Sequence, residues 1–131
     1  MIWVELEQVI SLHGLLLSEN GGLPGIRDNA LLEAALGAPL ASFAGQPLYP
    51  TIIERAARLG FGLVKNHPFN DGNKRIGVMS MLTVLEMNGY RVTASNDDVI
   101  ALGLGLADGT YSYDDALDWV RKNSKPPLSA P

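Results

Sequence analysis

Apolar residues recur along this chain at the three- and four-residue spacing of α-helices, and glycine, proline or asparagine interrupts the pattern between them. The first apolar face predicts a helix over residues 5–18, which the glycine-rich run 21–25 ends. Asp28 suits the N-cap of a second, short helix over residues 29–36. Residues 38–49 have no clear period and form the longest predicted irregular segment.

The rest of the chain continues the helical pattern, and strand signals are few. The fold class is therefore predicted to be all-α, a compact bundle of about six helices in one domain over residues 1–123. Residues 124–131, which include three prolines, are predicted to form a flexible C-terminal tail. The remaining predicted helices are a third over residues 50–66 that begins at Pro50, a fourth from about Ile76 to the stop signal Asn88-Gly89, a fifth over residues 97–107 capped by Ser95, and a sixth from a capping box at residues 112–115 to about Lys122.

Composition limits the function. The 131 residues are 47% hydrophobic, which is enough for one packed core. A net charge of −4 is opposite in sign to the field expected of a protein that holds nucleic acid, so direct nucleic acid binding is not expected. The absence of cysteine excludes disulfides and thiolate metal sites and fits a reducing compartment. No apolar run reaches the roughly 18 residues of a membrane span, so we expect a cytoplasmic protein without membrane contact.

Residues 67–75, His-Pro-Phe-Asn-Asp-Gly-Asn-Lys-Arg, join the third and fourth predicted helices, and we call them the motif loop. A glycine turn that leads into a helix leaves backbone N–H groups unpaired at the positive end of the helix dipole, where anions bind. Glycine permits the close approach of a phosphate, and the asparagine after it can donate from its side chain. Two adjacent cations are disfavoured at a helix N-terminus unless an anion lies between them. The predicted phosphate-binding residues are Gly72, Asn73, Lys74 and Arg75.

The other side chains of the motif loop have separate predicted roles. A carboxylate beside an anion site would repel the ligand unless a hard cation lay between them, so Asp71 is the predicted Mg²⁺ ligand. His67 is the predicted general base, because a histidine can take a proton from a hydroxyl near neutral pH. Arg27 is a candidate accessory contact, with a surface position beside the N-cap as the alternative, and His13 is predicted to be a hydrogen-bonded core residue. The residues expected to shape the loop are Pro68, Phe69 and Asn70.

The motif loop resembles the signature of the Fic/Doc (Fido) superfamily, His-x-Phe-x-(Asp/Glu)-(Gly/Ala)-Asn-(Gly/Lys)-Arg, and it matches that signature at all nine positions. Three further features are similar to the death-on-curing, Doc-like branch, whose members are toxins of type II toxin–antitoxin systems. They are the run Gly21-Gly22-Leu23-Pro24-Gly25, the helix stop Asn88-Gly89-Tyr90, and Lys74, where adenylyl-transferring relatives usually have glycine. The resemblance extends over nearly the whole chain.

The resemblance implies a Fido-type helical domain that uses ATP and Mg²⁺ to modify a hydroxyl group of a cytoplasmic protein. For the Doc-like branch it implies a toxin that phosphorylates elongation factor Tu and thereby blocks translation. It also implies a cognate antitoxin, whose C-terminal segment folds when it binds the toxin. By this resemblance His67 is the base, Asp71 is the metal ligand, and residues 72–75 surround the phosphates.

Three other functions remain open for this loop. Transfer of AMP to a protein hydroxyl, as in Fic enzymes, is disfavoured by Val78, because those enzymes have a second arginine there, and is favoured by Gly72, where Doc has alanine. Met79 stands where Doc has a polar residue. A catalytically inactive binding or corepressor module is disfavoured because His67 and Asp71 are both present. A metal-assisted phosphate-ester hydrolase could use the same anion site, and the kinase is the favoured function.

Overall fold

Helices account for most of residues 1–128, which are the residues that the computed structural model describes. This part of the chain contains six α-helices, one short 3₁₀ helix and four two-residue strands, so the predicted all-α class is confirmed. No helix among these residues has the length and apolar character that a membrane crossing needs. The helices are α1 (Leu6–Asn20), α2 (Asn29–Gly37), α3 (Ile52–Asn66), α4 (Asn73–Met87), α5 (Asn96–Asp108) and α6 (Tyr113–Asn123); the 3₁₀ helix is Ala38–Leu40, and the strands are β1 (Ser42–Phe43), β2 (Gln46–Pro47), β3 (Arg91–Val92) and β4 (Ser124–Lys125).

Side-chain caps set most of the helix starts. Asp28 caps α2, and Ser95 and Ser112 cap α5 and α6 in capping boxes, as the sequence predicted. The predicted start of α3 at Pro50 is wrong by two residues. The hydroxyl of Thr51 accepts a backbone N–H at 3.3 Å and so becomes the N-cap. Local hydrogen bonding by a threonine thus decides the boundary in place of the proline.

Two segments that were predicted to lack regular structure contain short strands. β1 and β2 form an antiparallel hairpin within residues 38–49. β3 and β4 also pair antiparallel, so Ser124 and Lys125 are held in a strand and do not belong to a flexible tail. Strands of two residues have no alternating pattern that a sequence could reveal. Residues 129–131 of the predicted tail lie outside the described residues.

The helices α3 and α4 form the centre of the bundle. α3 packs against α2, α4, α5 and α6, while α4 also packs against α1 and α5. The two central helices approach closely at Gly60 and Gly77. A Cβ atom added to Gly77 would lie 2.5 Å from Cγ2 of Val64 and 3.0 Å from the carbonyl oxygen of Gly60. This contact brings the C-terminal half of α3 against the first turns of α4, and the motif loop joins them.

Candidate active site

The motif loop leaves α3 at His67, whose side chain is exposed. His67 has left-handed backbone angles, φ 52° and ψ 52°. For a residue with a Cβ atom this conformation costs about 1–2 kcal/mol, so neighbouring contacts must hold it. The histidine borders a cleft of about 350 Å³ that contains the predicted metal-binding and phosphate-binding residues. The cleft is lined by Val64, His67, Asp71, Gly72, Asn73, Lys74, Arg75 and Ala107.

Residues 22–28 hold the motif loop through hydrogen bonds, and we call them the anchoring segment. Two of its glycines have positive φ and approach the loop closely. A Cβ atom would lie 2.9 Å from Oδ2 of Asp71 if it were added to Gly22, and 2.8 Å from Nδ2 of Asn70 if it were added to Gly25. The hydrogen bonds run from the N–H of Leu23 to Oδ2 of Asp71 (3.1 Å), from Nδ2 and N–H of Asn70 to the carbonyls of Pro24 and Gly25 (2.9 and 3.0 Å), and from the N–H groups of Arg27 and Asp28 to the carbonyl of Pro68 (2.7 and 3.0 Å).

The side chain of Arg27 contacts the backbone of the loop. Its Nε–H donates to the carbonyl of His67 at 2.6 Å, and its Nη2–H donates to the carbonyl of Asn66 at 3.0 Å. Arg27 is not among the residues that line the described cleft. Two of its guanidinium nitrogens are thus bound to carbonyls at the end of α3. The accessory contact with a nucleotide or a target stays a prediction.

Phe69 anchors the motif loop to the hydrophobic core. Its side chain is only 1% exposed, and its ring stacks on the imidazole of His13 at 3.8 Å between centroids, with 12° between the planes. Nε2–H of His13 donates in turn to the carbonyl of Asp71 at 2.8 Å. The prediction of a hydrogen-bonded core histidine is thus confirmed. Its link to the motif loop was missed, because 58 residues separate His13 from Asp71.

Asn73 turns its side chain into the loop and away from the cleft. Oδ1 accepts the N–H of Phe69 at 2.9 Å, and Nδ2–H donates to the carbonyl of Phe69 at 3.0 Å. With both polar atoms paired and the residue 5% exposed, the predicted side-chain donation to phosphate is wrong. The backbone N–H of Asn73 is still available at the start of α4. The four-residue spacing between Phe69 and Asn73, which fits such a local clamp, was the signal in the sequence.

The N-terminus of α4 offers unpaired donors to an anion. Gly72, with φ 78° and ψ 15°, precedes the helix, and no side chain caps it. Within the described chain, the N–H groups of residues 73–75 have no hydrogen-bond acceptor. Nη1 of Arg75 is also buried without a partner. A guanidinium nitrogen without a partner can donate to a phosphate oxygen. Lys74 is exposed beside it at the mouth of the cleft.

The carboxylate of Asp71 is oriented by two backbone amides. Oδ2 accepts the N–H of Leu23 at 3.1 Å, and Oδ1 accepts the N–H of Gly72 at 2.8 Å. These two hydrogen bonds, with smaller contributions from the charges of Arg75 and His13, lower the pKa of Asp71 from its ordinary value of 3.8. Both oxygens keep lone pairs for a cation. One oriented carboxylate together with phosphate oxygens is a ligand set that Mg²⁺ commonly uses. The described residues contain no cluster of three acidic, histidine or cysteine ligands.

The lowered pKa of Asp71 predicts a specific dependence of stability on pH. The folded state holds the charged carboxylate better than the unfolded state does, so wild type should be more stable than Asp71→Asn at neutral pH. The difference in free energy of unfolding between the two proteins should be constant above about pH 5. It should shrink as the pH falls below the pKa of Asp71 in the unfolded state and then through its lower pKa in the folded state. Urea unfolding of both proteins between about pH 2.5 and pH 8 measures the difference. A difference that instead varies between about pH 6 and pH 8 would contradict the assignment.

The fold and the site together define an all-α protein in which one loop between two central helices carries a histidine, a carboxylate and an open helix N-terminus. Residues 3–85 match the Fic/DOC family. The chain belongs to this family, and the resemblance of its motif loop is thereby confirmed.

Two relatives extend the comparison beyond the motif loop. The chain is 34% identical over 116 residues to "Protein kinase doc" of Escherichia phage P1, which covers 88% of this chain and 90% of that protein. It is 39% identical over 77 residues to "Toxin Doc" of Mycolicibacterium smegmatis (strain ATCC 700084 / mc(2)155), which covers 59% of each chain. Both relatives support the Doc-like branch within the family.

Proposed function

We propose that this protein is the toxin of a toxin–antitoxin module and an ATP-dependent protein kinase, with elongation factor Tu as its target. The observation that carries the proposal is the common cleft of His67, Asp71 and the open N-terminus of α4. The names of the two relatives, a kinase and a toxin, support the same activity. The relative named as a kinase matches along 90% of its own length.

In the proposed reaction the hydroxyl oxygen of the target attacks the γ-phosphorus of ATP. The bond from the γ-phosphorus to the bridging oxygen breaks, and ADP leaves. His67 takes the hydroxyl proton, and it is exposed at the edge of the cleft where the target must approach. The products are a phosphorylated hydroxyl, ADP and one proton, so the atoms and charges balance.

The remaining site residues bind and orient the phosphates. The free N–H groups of residues 73–75 and the unpaired Nη1 of Arg75 donate to phosphate oxygens, and Lys74 adds a charge at the mouth. Asp71 would hold Mg²⁺, which when bound neutralises charge on the phosphates. In-line positioning and electrostatic stabilisation account for most of the catalysis in phosphoryl transfer.

Transfer of AMP is the second candidate, and the surroundings of α4 disfavour it. Val78 is 5% exposed and lines an apolar groove of about 180 Å³ between α4 and α5, beside Lys74 and Arg75. Adenylyl-transferring Fic enzymes have a second arginine at this position. This chain has the apolar side chain of Val78 there. Arg75 is therefore the one arginine that α4 offers to the phosphates.

Two labels on ATP separate the candidates. The purified protein is incubated with elongation factor Tu, and in parallel with a cell lysate, together with ATP labelled at either the α- or the γ-phosphate. Label from the γ-phosphate alone is the expected result. Label from the α-phosphate would establish AMP transfer, and labelling equal to that of the His67→Ala variant in every reaction would overturn the enzyme proposal.

We also propose that a cognate antitoxin, whose C-terminal segment folds on binding, neutralises the protein in the cytoplasm. The relative named as a toxin supports this partner. Expression of the protein alone should arrest growth, and co-expression of the neighbouring small reading frame should restore it. Growth arrest that the neighbouring product does not relieve would argue against that partner.

A further inference from the structure

Arg27 makes charged hydrogen bonds to the end of the helix that presents His67. Its guanidinium donates to the carbonyls of Asn66 and His67 at 3.0 and 2.6 Å. Carbonyl groups at a helix C-terminus have no partner within the helix, and a cation is stabilising there. Hydrogen bonds from a charged donor are about twice as strong as neutral ones. These two bonds therefore stabilise the end of α3 where the chain turns into the motif loop.

The same residue also fixes the peptide bond that follows Pro68. The backbone N–H of Arg27 donates to the carbonyl of Pro68 at 2.7 Å, and the N–H of Asp28 donates to the same oxygen at 3.0 Å. The carbonyls of three successive residues, Asn66, His67 and Pro68, are thus held by two adjacent residues of the anchoring segment. Between them lies the left-handed backbone of His67, at φ 52° and ψ 52°.

We propose that Arg27 is a positioning residue for the general base: it holds the strained backbone from which the imidazole of His67 projects. This inference rests on the proposed function. Arg27 does not line the described cleft, so it acts through His67 and not on the nucleotide. The phosphate-binding end of the loop has separate supports, namely the N–H of Leu23 on Asp71 and the clamp of Asn73 on Phe69.

The test compares Arg27→Met, which keeps the apolar stem but removes both side-chain donors, with wild type. We expect kcat to fall about 10- to 100-fold, because small displacements of a catalytic group are costly. The Kd for ATP with Mg²⁺ should stay within about twofold, since the phosphate contacts are anchored independently. Arg27→Lys, whose ammonium can reach only one carbonyl at a time, should recover part of kcat.

Arg55 provides the matched control. It lies near the start of the same helix, twelve residues before His67. Its Nε–H donates to the carbonyl of Tyr49 at 2.7 Å, and its Nη1–H donates to Sδ of Met1 at 2.9 Å, so it also makes two side-chain hydrogen bonds. Arg55→Met should change thermal stability about as much as Arg27→Met while it leaves kcat unchanged. An equal loss of kcat in both variants would overturn the proposal, as would an unchanged kcat in Arg27→Met.

Nuclear magnetic resonance separates a failure of this inference from a failure of the proposed function. The ¹³Cα and ¹³Cβ shifts of His67 report its left-handed backbone conformation, and they need no enzymatic activity. We expect these shifts to move in Arg27→Met and to stay in place in Arg55→Met. If wild type transfers no label from ATP, the proposed function fails, and these shifts still decide whether Arg27 holds His67. Unmoved shifts in Arg27→Met would refute the positioning role.

Discussion

Replacing His67 with alanine is expected to lower kcat for phosphate transfer by about 10²- to 10⁴-fold, the usual contribution of a positioned general base. The imidazole is exposed at the edge of the cleft and supports no described hydrogen bond through its side chain. Its removal should therefore leave the phosphate-binding groups in place. The measurement is the single-turnover rate with γ-labelled ATP, together with the Kd for ATP and Mg²⁺ by calorimetry.

Two control measurements distinguish the loss of the base from unfolding and from weaker ATP binding. The melting temperature of His67→Ala should stay close to that of wild type, since an exposed side chain is removed. The Kd for ATP should change less than about threefold, because the base acts mainly in the transition state. A variant that keeps more than about a tenth of wild-type kcat would show that another group takes the proton.

Replacing Phe69 with alanine is expected to lower the free energy of unfolding by about 3–5 kcal/mol. The ring is 1% exposed and stacks on His13, so its loss opens a cavity beneath the motif loop. His13 would lose its stacking partner, and its hydrogen bond to the carbonyl of Asp71 would weaken with it. Urea unfolding measures the change, and transfer activity should fall even where the variant is fully folded.

The hairpin supplies a control with the same chemical change. Phe43 lies in β1 and is 76% exposed, so Phe43→Ala removes the same ring without creating a cavity. Its free energy of unfolding should stay within about 0.5 kcal/mol of wild type. If the two phenylalanine variants lost similar amounts of stability, the motif loop would not depend on the ring beneath it.

Features that are local in the sequence were predictable. Helical spacing identified all six helices of the described chain, and Asp28, Ser95 and Ser112 identified three of the caps, because a cap involves residues only a few positions apart. The motif loop was identified for the same reason. Its histidine, carboxylate and glycine turn are contiguous, so the sequence alone brings them together.

Features that depend on distant or main-chain contacts were not predictable. Arg27 and His67 are 40 residues apart, and the acceptor is a backbone carbonyl that every residue possesses. The sequence therefore identified the helix stop and the N-cap at Asp28 within the anchoring segment, and it did not reveal the hydrogen bonds of this segment to the motif loop. Asn73 was misassigned because an asparagine at a helix start suits either a ligand or a loop clamp. Its inward orientation follows from the buried backbone of Phe69, which only the fold defines.

The contact between Gly60 and Gly77 has a mechanical consequence for the proposed reaction. His67 is seven residues beyond Gly60, about 10 Å along the helix axis at 1.5 Å per residue. A change of about 5° in the crossing angle at this contact would move the histidine by nearly 1 Å, a displacement that can cost a reaction about a hundredfold in rate. The geometry of this glycine contact would therefore set the distance between the proposed base, His67, and the proposed phosphate-binding N-terminus of α4.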